Sequence, residues 1–130
     1  MTTGLASGVA NSILNSLCRN TTWTAPAAFY VKLHIGDPGS AGTSNAAGNT
    51  TRVAATLSAA SSGNITNSAD VAWTNVSTSE TYSHVSFWDA SSSGTFLGSN
   101  ALTASKAVIS GDSFTIAASS LSLAITPIAA

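Results

Sequence analysis

The chain has 130 residues and a formal net charge of −1, with 7% of its residues charged and 44% apolar, where an average soluble domain is about a quarter charged. Four basic side chains leave no electrostatic footprint for DNA or RNA, and the apolar fraction is too high for intrinsic disorder. The lone cysteine, Cys18, excludes an internal disulfide framework and a multi-cysteine zinc site.

One self-contained domain over residues 1–130 is expected, a helical arm over 1–20 leading a β-rich body over 21–130. Ser, Thr and Ala make up 63 residues, so little charge repulsion would keep copies apart. That surface suits a subunit held in an assembly, or equally a Ser/Thr-coated monomer. The N-terminus lacks the basic and apolar regions of a secretory signal, and no run approaches ~18 apolar residues, so no membrane contact is expected.

Residues 4–18 carry the helical period. Leu5, Val9, Ile13 and Leu17 recur every four residues, with Ala6, Ala10 and Leu14 beside them and Ser and Asn opposite. Thr2 or Thr3 can cap the start, Arg19 suits the negative end of the dipole, and Asn20 suits the stop. Cys18 is expected to be a packing residue, since a helix C-terminus disfavours a thiolate. So short a helix is marginal alone and needs a docking partner, either its own domain or a neighbouring subunit.

From residue 27 the period becomes two. Phe29, Val31, Leu33 and Ile35 alternate with Tyr30, Lys32 and His34, the pattern of a half-buried strand. Gly36-Asp37-Pro38-Gly39 stops it with turn chemistry. Residues 40–51 form a long polar loop of the kind that is usually functional or flexible.

Short strand signals then follow at regular spacing. They are Val53, Ala55 and Leu57; Ile65 after the turn Ser61–Asn64; Val71 and Trp73; then 82–89, with Tyr82, His84, Ser86 and Trp88 on one face and Val85 and Phe87 on the other. A turn at Ala90–Gly94 leads into Thr95–Leu97. Val108 and Ile109 end at Ser110-Gly111-Asp112, followed by Phe114 and Ile116, then Leu121, Leu123 and Ile125, with Pro127 closing the pattern. Roughly eight strands after one helix predict a mainly β fold, a single sandwich of jelly-roll or immunoglobulin-like form with one short N-terminal amphipathic helix.

Chemistry is sparse. His34 and His84 have no ligand spacing with the few carboxylates, no G-x-S-x-G elbow presents a nucleophile, and no Gly-rich phosphate loop opens a helix. Asp37, Asp89 and Asp112 stand where acidic side chains hydrogen-bond their own backbone. The aromatic residues fit core or interface packing, with a carbohydrate-binding face as the alternative. No catalytic residue, cofactor or metal is expected, and so no enzyme.

Phe29-Tyr30-Val31-Lys32-Leu33-His34-Ile35-Gly36-Asp37-Pro38-Gly39 resembles the hallmark of a family of small tailed-bacteriophage virion proteins, commonly labelled tail fibre or minor tail proteins. Asn67-Ser68-Ala69-Asp70-Val71-Ala72-Trp73, His84–Ala90, Gly94–Leu97, Ala101-Leu102-Thr103, Lys106 and Gly111-Asp112 are similar to that family in the same order. Asn49-Thr50-Thr51 departs from it, standing before Arg52 where the family has a Gly-rich aromatic segment, and leaves the matching of 40–51 open.

The resemblance implies a non-enzymatic structural protein of a virion, made in the host bacterial cytoplasm. A rod-like tail fibre has shaft repeats, which this chain lacks. A compact β domain of this size suits a decoration (cement) protein, held on a capsid exterior by many simultaneous contacts. Capsid decoration is therefore the main expectation, and a tail fibre or minor tail component contacting the host surface the alternative. The implied partners are further copies of the chain, as in a homo-oligomer such as a trimer, and virion proteins such as the major capsid protein. A host glycan joins them if the chain sits in the tail. The residues expected at an assembly interface are Leu5, Val9, Ile13 and Leu17 on the helix and Gly36, Asp37, Pro38 and Gly39 in the turn.

Overall fold

Ten elements follow one another in the computed structural model, which describes residues 3–125: β1 (Gly4–Leu5), α1 (Ser7–Arg19), β2 (Tyr30–His34), β3 (Val53–Ala54), β4 (Asn64–Thr66), β5 (Val71–Trp73), β6 (Glu80–Trp88), β7 (Phe96–Val108), β8 (Phe114–Ile116) and β9 (Ser122–Ala124). The fold is mainly β, with every pairing antiparallel and one short helix at the N-terminal end. One layer is a five-stranded sheet of order β1-β7-β6-β2-β3, and two separate ribbons, β4-β9 and β5-β8, complete the body.

Alternation decides what each strand buries. In β2, Val31 and Leu33 lie opposite Phe87 and Val85 of β6, and all four side chains are fully buried. The β5-β8 ribbon closes over that face with Val71, Trp73, Phe114 and Ile116, each inward residue separated from the next by an exposed one. Trp73 and Phe114 ring centres lie 5.8 Å apart, and Tyr82 meets Phe114 edge-on at 5.2 Å. Such aromatic pairs add to area burial, which at about 25 cal/mol per Å² is the main force here.

Strict alternation fails in β6. Tyr82 pairs with Lys106 but His84 pairs with Ala101, so a two-residue step on β6 faces a five-residue step on β7. This bulge turns Tyr82 onto the face of Val85 and Phe87, where it is fully buried, and away from the face of Ser86 and Trp88 that alternation assigned to it. The pairing partner, β7, is also one continuous strand from Phe96 to Val108, where two short ones were expected. Residues 98–107 carry too few large side chains to show a period in isolation; β6 supplies the template.

The predicted turns form. Ser62 and Gly63 take positive φ (52° and 75°) between Ser61 and Asn64, whose backbones exchange two hydrogen bonds. Ser93 and Gly94 do the same (52° and 77°) before Thr95. Asn67 is fully buried and ties three segments together. Its Nδ2 donates to the carbonyls of Ala69 and Ala117, and its Oδ1 accepts from Leu121 N–H.

The N-terminal boundary also differs from expectation. Gly4 and Leu5 pair with Ser99 and Gly98 of β7, so the helix begins only at Ser7 and not at residue 4. Its N-cap is Ala6, which offers no side-chain cap, and Ala6 N–H instead donates to the Leu97 carbonyl at 2.9 Å. Thr3 lies upstream of β1 and is not the cap; Thr2 lies outside the described residues, as does Pro127. Asn20 ends the helix in the left-handed conformation (φ 52°, ψ 35°) with Arg19 in the last turn, as its sequence predicts.

Candidate functional site

A Ser-His pair is the chemistry most easily drawn in a Ser-rich chain, and one exists. His34 on β2 places Nε2 2.8 Å from Ser86 Oγ on the neighbouring strand, and its Nδ1 lies 2.8 Å from the Ser44 carbonyl. A carbonyl can only accept, so Nδ1 carries the proton. Burial holds the imidazole below its ordinary pKa, partly opposed by the Ser44 carbonyl and assisted by the Lys32 charge. The neutral ring therefore accepts at Nε2 from the Ser86 hydroxyl, and Ser86 Oγ accepts in turn from Trp88 Nε1–H at 2.7 Å. Every polar group of this His34–Ser86–Trp88 relay is used, and His34 and Ser86 have no exposed surface. A hydroxyl sealed in this way cannot meet a substrate; the arrangement ties the 36–49 loop to the sheet.

That loop is built, not loose. Asp37 Oδ1 accepts from Gly39 N–H at 2.9 Å, Asn45 Nδ2 donates to the Asp37 carbonyl at 2.9 Å, and Ser44 N–H donates to the carbonyl of the buried Pro38. Gly39 holds φ at +76°, and Gly36 lies against the Asn45 side chain. The four turn residues named for an interface are thus placed inside the loop's own framework. Gly42 brings the loop against the Phe96 ring, where a Cβ would come within 2.4 Å of Cδ1.

The carboxylates behave alike. Asp37, Asp70, Glu80, Asp89 and Asp112 each accept a backbone N–H, from Gly39, Ala118, Gly48 and Asn49, Thr95, and Ile109 respectively. These are all five acidic side chains of the chain. Arg52 stacks over the Trp88 ring at 4.1 Å and donates to the Ala90 and Ser93 carbonyls. Among the described residues, no three His, Cys, Asp or Glu side chains come together as a metal site, and no helix is long and apolar enough to cross a membrane.

What the molecule leaves open is apolar. Helix α1 has no fully buried residue. Leu5, Val9 and Ile13 wall one side of a groove of about 680 Å³, bounded opposite by Trp23, Phe29, Ile65, Leu123 and Ile125. The structure brings together three of the four helix-stripe residues, although Leu5 reaches the groove from β1. Leu17 does not join them: it is 77% exposed, and Leu14 is 56% exposed. Cys18 is exposed as well, contrary to its expected packing role, as are all residues from Ser16 to Asn20. Sequence periodicity identified the helix wall. The opposite wall comes from four separate segments, which only folding juxtaposes.

No curated protein matches the chain. The profile of one family, described as podophage GP4 fiber I protein gp80, matches residues 4–124. The chain belongs to this family and is a structural protein of the phage particle. The family description stands with the fibre reading and gives no support to capsid decoration.

Proposed function

We propose that this member of the gp80 fibre family is a non-enzymatic subunit of a phage tail fibre. The family match over residues 4–124 carries the reading. The spending of every carboxylate on backbone N–H groups, and the sealing of the Ser-His pair, support it. Such a subunit needs shape and contact surface, and the chain offers a β body with an open apolar groove. Lack of length and shaft repeats is answered by making the fibre from several chains, each contributing a compact segment.

Quantitative mass spectrometry of purified particles tests this, with a tag on the C-terminus located by electron microscopy. Copies far fewer than the major capsid protein, with the tag at the tail, are the expected result. A stoichiometry near one per capsid subunit, with the tag spread over the shell, would overturn it and return the decoration reading.

A further inference from the structure

We infer that Lys32 and Arg52 form a binding site for the acidic group, carboxylate or phosphate, of an anionic saccharide. The choice of a saccharide rests on the fibre reading; the anion site rests on the geometry of the outer sheet face. β3 runs antiparallel beside β2, pairing Ala54 with Tyr30 and Val53 with Val31, so Arg52 follows beside Lys32. Both turn to the face opposite the core residues Val31 and Leu33, and both are half-buried. Arg52 then reaches across β2 to Trp88 of β6, over whose ring its guanidinium carbon stacks at 4.1 Å.

Two of the chain's four Lys and Arg residues thus stand together, although like charges on facing strands destabilise a sheet. Burial, and after it the Arg52 charge, holds the Lys32 ammonium below the ordinary lysine range. The described residues supply the counter-charge only in part. Asp89 offsets some of the Arg52 charge, but its Oδ1 is engaged by Thr95 N–H, and the other carboxylates are likewise held by backbone N–H groups. Among the described residues Lys32 Nζ makes no hydrogen bond or ion pair, and Arg52 uses only Nη1, on the Ala90 and Ser93 carbonyls. The Nε–Nη2 edge left over is the fork that matches two oxygens of a carboxylate or phosphate. Stacking on Trp88 and the two carbonyl bonds fix that fork before a ligand arrives, which lowers the entropy cost of binding. Two cations suit one acidic group at a time and not a nucleic-acid backbone. Tyr30, half-buried on the same face opposite Trp88, offers a sugar ring an apolar floor.

NMR titration of the full chain at low salt tests this with two matched pairs of probes: a galacturonate oligosaccharide against its methyl ester, and a phosphorylated dextran against plain dextran. At least one charged member should bind at least about tenfold more tightly than its neutral twin. It should weaken with added salt and shift the amide signals of Lys32 and Tyr30. Lys32→Gln should lose that tenfold while its urea midpoint stays level or rises, since the substitution relieves a like-charge contact. Arg52→Lys keeps the charge without the fork and should also weaken binding. Lys106→Gln, which removes an exposed cation on β7, should leave binding unchanged.

Equal affinity for the charged and neutral members of both pairs overturns the inference. So does a Lys32→Gln chain that binds like the wild type, or an equal loss in Lys106→Gln, which would indicate a general attraction of anions. A clear fall in the Lys32→Gln urea midpoint would place the ammonium in a structural contact and overturn it too. Vesicles of anionic phospholipid bound through Lys32, with neither saccharide bound, would assign the site to a lipid headgroup and likewise overturn it. None of these results touches the fibre reading, which particle stoichiometry tests separately.

Discussion

The inner face of the five-stranded sheet and helix α1 are both apolar, yet they meet opposite fates. Val31, Leu33, Val85 and Phe87 are fully buried, while no residue of α1 is. The sheet face is closed by chain that returns to it, because β5 and β8 bring Trp73 and Phe114 across from distant positions. Among the described residues the helix is tied through β1, the Ala6 to Leu97 hydrogen bond and Val9 against the core, while Leu14 and Leu17 are left exposed. The contrast teaches that apolar periodicity marks a surface to be covered without saying which molecule covers it. In the body the cover is intramolecular; on the helix Leu14 and Leu17 stay exposed among the described residues.

Five changes would break or sharpen this contrast. The largest effect belongs to the closed side. Trp73→Ala should cost about 3–5 kcal/mol in urea unfolding, since it removes a side chain that touches both layers and leaves a cavity. A loss below about 1 kcal/mol would show the body to be loosely packed and the contrast overdrawn. Asn67→Ala should follow at about 3 kcal/mol, because Ala69 and Ala117 lose a donor and Leu121 N–H loses its acceptor in the interior. Replacement by Asp should restore only the Leu121 bond.

Gly98→Ala tests the joint between the two regions. Its Cβ would stand 2.6 Å from the Gly4 carbonyl oxygen, which must move and take β1 off β7. Amide exchange at Ala6 should quicken at least about tenfold, with exchange in β2 and β6 unchanged. Equal acceleration throughout would mean that arm and body unfold as one unit.

Smaller still is the pH effect at His34. Its folded pKa lies below the ordinary value of about 6.5, so the unfolded chain takes up a proton that the folded chain refuses. The stabilisation is whole above the unfolded value and is lost as pH falls through the folded one. Urea midpoints should therefore decline from pH 7.5 to 5.5 in the wild type and less so in His34→Gln. Equal slopes would remove His34 as the cause.

The smallest effect belongs to the open side. Leu17→Ala should change single-chain unfolding by no more than about 0.5 kcal/mol, although Leu17 is as apolar as any core residue. A larger loss at dilutions where the chain is monomeric would place Leu17 in an intramolecular contact.

Much of this molecule could be read in one dimension. The helix and its Asn20 stop, the alternation of β2, β5 and β8, and the turns at 61–64, 90–94 and 110–112 all rest on neighbours a few residues apart. Local sterics and period decide such features, and both are written in consecutive residues. The mainly β class with its leading helix follows from them, as does the scarcity of spare acid-base chemistry, because there were too few charged residues to begin with.

Other features needed partners far away in the chain. The bulge that swings Tyr82 inward exists only against β7, and the continuity of β7 exists only against β6. The buried His34-Ser86-Trp88 chain joins residues 52 positions apart, and Asn67 reaches Leu121 across 54. The capture of Leu5 into a strand was decided by an open edge at Ser99 and Gly98 that no N-terminal residue signals. The groove likewise needed its second wall. Period and composition determined which surfaces of this chain seek cover, since burial preference is a property of each side chain. Tertiary structure decided which of them the chain covers itself, since that depends on where the chain returns in space.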